Sequence, residues 1–377
     1  MRVDARYRSC VVYLLAWCAY QPLARAQQDG DVEATTAFYV RTDSDQTTIV
    51  SPRVHVAAKV TPDTTVDALY TADVWSSASI DIRSAATKRI TEQRDELGLA
   101  LEHAFADTTL RGSYRYSTEH DYDSHGGSVS ASFDFASHAT MLAPALFGSV
   151  DRVGRAGDPS FERDATLLGA RVSLTQVIDT HMFAQLTYEI ARQHGYLASP
   201  YRYVRIGDEV GPELGPCVLP STQCVHENNP EQRLRHAVVL SLRRALNDTF
   251  SAGASYRYYR DDWKLSSHTI RVDVAAVFGD AFLLGIDYRY YQQTAAEHYR
   301  PVYPADPLPE FRTSDKELSP LSSHRIGVEL SWKWQLGTSA QLTAAVLAAP
   351  SLFLYSDFPW LERISAFESS AAVELVL

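Results

Sequence analysis

Four histidines stand in nearly the same local setting: Ser124-His125, Arg235-His236, Ser267-His268 and Ser323-His324. Imidazoles recurring at equivalent positions could ring a metal ion. Ser266-x-His268 and Ser322-x-His324 also set a hydroxyl near an imidazole. That is the start of a serine acyl hydrolase, which needs a third group to orient the base. Glu119-His120-Asp121-Tyr122-Asp123 is an acidic cluster with one histidine. Gly154-Arg155-Ala156-Gly157-Asp158 has the glycines of a phosphate loop. No helical pattern follows it, so a phosphate loop is rejected. Cys217 and Cys224 have six residues between them and lie in a segment with Pro216 and Pro220. In an oxidising compartment they read as a disulfide, because a metal site needs more ligands and only His226 is near.

What these groups can do depends on the elements that carry them. The chain has 377 residues, a formal net charge of -11, 45% apolar and 11% aromatic residues. Its mean hydropathy is -0.20. The acidic balance excludes a nucleic-acid partner, which wants a basic face. No stretch after residue 26 approaches the 18 consecutive apolar residues of a membrane helix. Period-two alternation runs through the chain instead. Ile270, Val272, Val274, Ala276 and Phe278 alternate with Arg271, Asp273, Ala275 and Val277. Phe282, Leu284, Ile286, Tyr288 and Tyr290 alternate with Leu283, Gly285, Asp287, Arg289 and Tyr291. The strands are long, aromatics gather at their ends, and short connections alternate with long ones. This is the pattern of a transmembrane barrel, apolar outside and polar inside.

Parity then assigns the groups to faces. His125, His236, His268 and His324 share the apolar face and sit at its edge. Alternate strands lie about 10 Å apart, so most of these histidines could not share an ion. They read as an interfacial girdle with Tyr114, Tyr116, Tyr256, Tyr258, Tyr288 and Tyr290, contributed by three Tyr-Arg-Tyr strand ends. The acidic cluster reads as a solvated outer loop. The opposite face points into the lumen and carries Arg111, Arg115, Arg257, Arg271, Asp273, Asp287, Arg289 and Glu329, among ten residues of each sign. Such a wall suits a water-filled pore or a salt-bridged, filled interior, and the sequence leaves both open.

The short turns fall at 62–64, 106–108, 137–139, 178–180, 247–248, 279–280 and 337–339. Longer connections are expected at 78–90, 118–126, 152–163, 197–232, 260–267, 296–322 and 356–362. Counting between them gives about 16 antiparallel strands from Ala34 to Leu377, within a range of 14 to 18 because Pro144 and Pro350 interrupt two of them. Residues 1–26 read as a cleaved signal peptide, with Arg2, Arg6 and Arg8 before an apolar run and Ala24-Arg25-Ala26 as the cleavage site. Residues 27–377 form one barrel domain. The last strand, Phe367 to Leu377, resembles the C-terminal signal read by the barrel-assembly machinery, with Leu377 where Phe is usual.

Several segments carry a resemblance over nearly the whole chain after the signal. They are Thr36-Ala37-Phe38-Tyr39, Asp151 to Pro159, Gly195 to Arg202 and the Ser-His strand starts. The chain resembles the bacterial outer-membrane family catalogued as domain of unknown function 3570. The resemblance implies a barrel and brings no chemistry. The expectation is therefore an outer-membrane protein of a Gram-negative bacterium, a porin-like channel or conduit for small polar solutes or for export. The alternatives are a structural or docking partner of a dedicated pathway and a rim Ser/His acyl hydrolase. Expected partners are outer-membrane lipid and lipopolysaccharide, the assembly machinery during biogenesis and an unidentified pathway protein. No enzyme activity, cofactor or metal is expected.

Overall fold

The computed structural model describes residues 31–77, 90–207, 217, 223–279, 281–337 and 339–377. The expected signal peptide, residues 1–26, lies outside them, as do residues 78–89 of the connection expected at 78–90. In chain order the strands are β1 (Val32–Asp43), β2 (Thr47–Thr61), β3 (Thr64–Ser77), β4 (Ile90–Ala104), β5 (Thr108–Thr118), β6 (Tyr122–Phe135) and β7 (Thr140–Val153). Next come β8 (Arg163–Asp179), β9 (Met182–Gly195), β10 (Tyr203–Ile206), β11 (Cys224–His226), β12 (Gln232–Ala245) and β13 (Phe250–Asp261). The last are β14 (Ser266–Phe278), β15 (Phe282–Gln293), β16 (Val302–Tyr303), β17 (Leu321–Leu336), β18 (Ala340–Tyr355) and β19 (Arg363–Val376).

Sixteen of these strands, all but β10, β11 and β16, form one closed antiparallel barrel. β1 meets β19 from Glu33↔Val376 to Asp43↔Ala366, so the sheet has no free edge. The faces follow the alternation. Leu97, Leu99 and Leu101 are 48%, 49% and 54% exposed on the outside, and Ile270, Val272 and Val274 are alike. An apolar surface of that extent is not stable in water and calls for lipid.

The strand count of 16 survives the prolines for a geometric reason. Proline has no N–H to give to a ladder. Pro144 lies in β7 where the pairing with β6 steps from Ser130↔Ala145 to Phe133↔Leu142. Pro350 lies in β18 where pairing with β17 steps from Arg325↔Ser351 to Val328↔Ala348. Pro52 does the same in β2, between Val50↔Val74 and Arg53↔Thr71. Each proline occupies a gap on one side, and the other neighbouring strand carries the pairing through it, as in Pro350↔Phe367.

The first strand begins at Val32, close to the expected start near Ala34. One expectation changes. The connection expected at 118–126 is only 119–121, and His125 stands inside β6. Hydrogen bonding of Glu119 N to Tyr122 O closes that turn and extends the ladder past the point where the polar sequence suggests a loop.

The three short strands form a separate sheet, in the order β11-β10-β16, within the connections 196–231 and 294–320. The disulfide Cys217–Cys224 belongs to it, with Cα atoms 5.7 Å apart.

Two outcomes follow from this arrangement. Val346 points outward near mid-strand and is 50% exposed, while Leu347 points inward opposite Glu329. Val346→Arg should cost about 2–4 kcal/mol in denaturant unfolding from lipid, and Leu347→Arg clearly less. Equal costs would mean that the faces are misassigned. Alkylation should find two thiols only after reduction, and Cys217→Ser should leave the barrel's unfolding midpoint unchanged because the bond ties a connection, not the wall.

Candidate functional site

The inner wall is a belt of ion pairs built across neighbouring strands. Arg243 Nη2 lies 2.6 Å from Asp273 Oδ2, with Arg243 buried and Asp273 partly so. Asp287 receives Arg271 at 3.3 Å and Arg325 at 3.1 Å, and Arg325 also reaches Glu368 at 3.4 Å. Across the lumen, Arg111 donates to Asp67 at 3.0 Å and Glu102 at 3.2 Å, while Arg115 pairs with Glu96 at 3.4 Å. Arg171 meets Glu189 at 2.7 Å. Arg257 stacks over the Tyr259 ring. Arg289 stands between Arg271 and Arg325 in register, and Glu329 stands opposite Gly285 and Leu347.

Two glycines make room for this belt. A Cβ on Gly253 would come 2.6 Å from Asp273 Oδ1, and one on Gly327 would collide with Asp287. Both carboxylates therefore lie flat over the facing strand and turn toward their arginines. The sequence reading of the lumen left out Arg325 and His55, whose Nε2 is 3.0 Å from Asp67. Both have inward parity, so the signal was present.

The outward histidines each accept or donate at Nδ1 with a tyrosine hydroxyl from the next strand. The pairs are Tyr114–His125 at 2.7 Å, Tyr188–His236 at 2.8 Å, Tyr256–His268 at 2.7 Å and Tyr288–His324 at 2.8 Å. In three of them the second tyrosine of Tyr-Arg-Tyr lies against the imidazole: Tyr116 at 4.9 Å, Tyr258 at 5.2 Å and Tyr290 at 5.2 Å. Tyr188 was missed because its strand reads Tyr-Glu-Ile. The hydroxyl of Ser266 lies 3.4 Å from Thr294 Oγ1, and tyrosine, not a carboxylate, holds the His268 ring. Among the described residues no cluster of three or more His, Cys, Asp or Glu could hold a metal ion.

The long connections build a third feature, a cap on one end of the barrel. Its centre is Glu227, whose side chain is fully buried and accepts from Thr313 Oγ1 and from Ser199 N at 3.0 Å. Arg202 bridges Glu227 at 3.4 Å and Asp315 at 2.8 Å. Burial holds the Glu227 carboxyl above the usual carboxylate range, against the pull of Arg202. Tyr303 donates to Thr313 O at 2.9 Å. Lys316 reaches Asp45 in the β1–β2 turn at 3.3 Å, Tyr299 bonds Asp357 O, and Tyr201 bonds Asp121. The cap is thus tied to the rim at widely separated connections and stretches over the mouth. Trp263 and Leu265 of the β13–β14 connection form an apolar cluster with Ala296, Tyr299 and Leu318 of the cap.

His298 is packed on Trp263 and donates Nε2–H to Asn229 Oδ1 at 2.9 Å. Burial, then Arg233, lowers its pKa from 6.5 to about 4. A histidine kept neutral contributes stability above pH 6.5 that is lost as pH falls toward about 4. Glu227 works in the opposite sense, since the buried carboxyl gains its proton more readily than a free one. Comparing wild type with His298→Gln isolates the histidine. Protease nicking of 294–320 should rise more steeply between pH 7 and 4 in wild type than in the variant. Parallel profiles would remove His298 from the cap's acid sensitivity.

A search of curated proteins returns no match. Among solved structures, a bacterial polysaccharide outer membrane secretin overlays with TM-score 0.54 at 8% identity, covering 93% of this chain and 100% of that one. The siderophore receptor PirA from Acinetobacter baumannii gives 0.46 at 8% identity, covering 88% of this chain and 54% of its own. The Pseudomonas putida toluene transporter TodX gives 0.41 at 11% identity, covering 93% and 89%. At 8% identity the likeness to the secretin shows the outer-membrane barrel fold alone. The family model described as "Protein of unknown function (DUF3570)" matches residues 154–347, more than half of the chain, and the chain belongs to that family.

Proposed function

We propose that this protein is an outer-membrane channel or conduit that passes small polar solutes or serves export. The observation behind this reading is the inner wall. It carries side chains of both signs, paired across strands, inside a closed 16-strand barrel that is apolar outside. Barrels of 16 strands are wide enough for an aqueous lumen. Delivery would follow from the signal peptide and from assembly of the C-terminal strand in a Gram-negative envelope. Balanced charge gives a weak net field, so neither anions nor cations are favoured. The cap supplies the constriction, since it spans the mouth above the wall pairs.

Export is supported as one direction of transport by the overlay on a polysaccharide secretin barrel, a likeness of fold. A docking role would use the same cap as a surface. The acyl hydrolase has the least support, because the rim imidazoles lean on phenols.

Planar bilayers separate these readings. Purified protein should give discrete conductance steps with little preference between anions and cations. Deleting 207–229, which removes Glu227 and both cysteines, should enlarge the steps. Silent bilayers for both proteins would sink the channel and favour docking. Lipid turnover lost in Ser266→Ala would instead establish the hydrolase.

A further inference from the structure

Four cationic or imidazole side chains share the outward face at the rim between β9 and β14. His236 on β12 stands opposite Ile190 on β9 and opposite Arg260 on β13. Arg192 on β9 stands opposite Leu234, one diagonal step above His236. Arg260 stands opposite Ser266, one diagonal step from His268 on β14. Opposed and diagonal neighbours of a sheet have Cβ atoms about 5 and 7–8 Å apart, so each neighbouring pair can reach one phosphate group, while the row of four spans a headgroup wider than a single phosphate. Arg192, Arg260 and His268 are exposed.

The nearby negative charge does not cancel them. Asp261 is buried and turned inward, where Arg233 holds it at 2.6 Å and Tyr259 donates to it at 2.8 Å. Glu231, Asp262 and Lys264, in the connections beyond, are exposed to solvent. The imidazoles are also oriented. In the tautomer in which the Tyr188 and Tyr256 hydroxyls donate to Nδ1, the ring protons of His236 and His268 sit on Nε2, the nitrogen left for a ligand. The face thus offers to an acceptor outside the wall the Arg260 guanidinium, the Arg192 guanidinium, whose Nη2 also donates to Gln232 Oε1 at 2.9 Å, and the two imidazoles. Guanidinium forks suit the oxygens of a phosphate.

A second, independent feature begins where this one ends. A groove of about 530 Å³ runs down the outside of β5 to β9, bordered by Leu110, Val129, Pro144, Val172, Tyr188 and Ile190. Its volume is that of a small-molecule site, and its lining is apolar. It is hollow because Ala131 and Ala170 form its floor and because Pro144 sits at the gap in the β6–β7 ladder. Its upper end is Tyr188 and Ile190, the two residues that touch or face His236. A soluble anion would leave the groove empty, and an uncharged chain would leave the cations unused. One amphiphile answers both.

We infer that the rim from β9 to β14 binds a phosphorylated lipid of the outer leaflet, its headgroup phosphates held along the row Arg192, His236, Arg260 and His268 and an acyl chain lying in the groove below Tyr188. This rests on the outer-membrane part of the proposed function and not on the protein being a channel.

The test uses the full-length protein in nonionic detergent and native mass spectrometry. It is titrated with hexa-acylated, bisphosphorylated lipid A, with the same lipid after dephosphorylation, and with inorganic phosphate as competitor. The phosphorylated lipid should bind at least about tenfold tighter than the dephosphorylated one, the scale of a charge-assisted pair. The double variant Arg192→Gln/Arg260→Gln should lose about that factor. Ala131→Phe/Ala170→Phe, which fills the groove, should weaken the lipid while leaving the barrel heat-modifiable on gels. Equal affinity for the two lipids, or no loss in a heat-modifiable arginine variant, overturns the phosphate site. Displacement of the lipid by inorganic phosphate, or no loss on filling the groove, overturns the acyl half. Should the arginine variant fail to fold, the two lipids on wild type decide alone. A wild type that is not heat-modifiable would fail the outer-membrane reading itself, a result separate from any difference between lipids.

Discussion

Inside hydrocarbon a backbone N–H or C=O has no water to turn to, and each one left alone costs several kcal/mol. The whole molecule is arranged around that constraint. A sheet satisfies it only by closing, which is why β1 and β19, at opposite ends of the chain, must pair in one register over eleven positions. The prolines obey the same rule. Pro52, Pro144 and Pro350 all sit where one ladder has a gap, so a residue that cannot donate is placed where no acceptor waits. Closure in turn fixes the faces, because a one-residue slip would put every charge of the lumen into lipid.

Charges forced inward by parity then have to find each other. A lumen wall is crowded at strand spacing, and the carboxylates at Asp273 and Asp287 find space only over Gly253 and Gly327. The glycines are the reason that these pairs run across strands instead of standing out into the lumen. A carboxylate laid on the wall and held by one or two arginines leaves the centre of the barrel less obstructed than the same side chain extended. The pairing is therefore compatible with transport. The cap is a separate construction, in which Glu227, Arg202 and Asp315 hold connections from two parts of the chain together.

Most of the barrel was legible because period-two alternation encodes strand, face and length at once. The lumen charges and the rim histidines could be placed from parity alone. The cap could not. Arg202 and Asp315 are 113 residues apart, and Lys316 is 271 from Asp45. β10, β11 and β16 have two to four residues each, too few for any period to show. The turn at 119–121 was overestimated because polarity marks a loop only where the backbone leaves the ladder, and Tyr122 to Ser124 are polar yet paired. Tyr188 was invisible for a similar reason. It reaches His236 across a long connection and from a strand without the Tyr-Arg-Tyr ending.

That last case explains why the rim repeats at all. In β5–β6 and β13–β14 the tyrosine and histidine flank connections as short as 119–121 and 262–265. In β9–β12 and β15–β17 they flank 196–231 and 294–320. The hydroxyl-to-imidazole distance nevertheless stays at 2.7–2.8 Å in all four. A contact so indifferent to what is inserted above it is set by the ladder below. The rim is then the level at which the membrane-bound frame ends, and length added beyond it bears on the cap without disturbing the wall. Long connections cost little extra closure entropy as they grow. The two that form the cap can therefore be long and carry a sheet and a disulfide while the strands beneath keep one geometry.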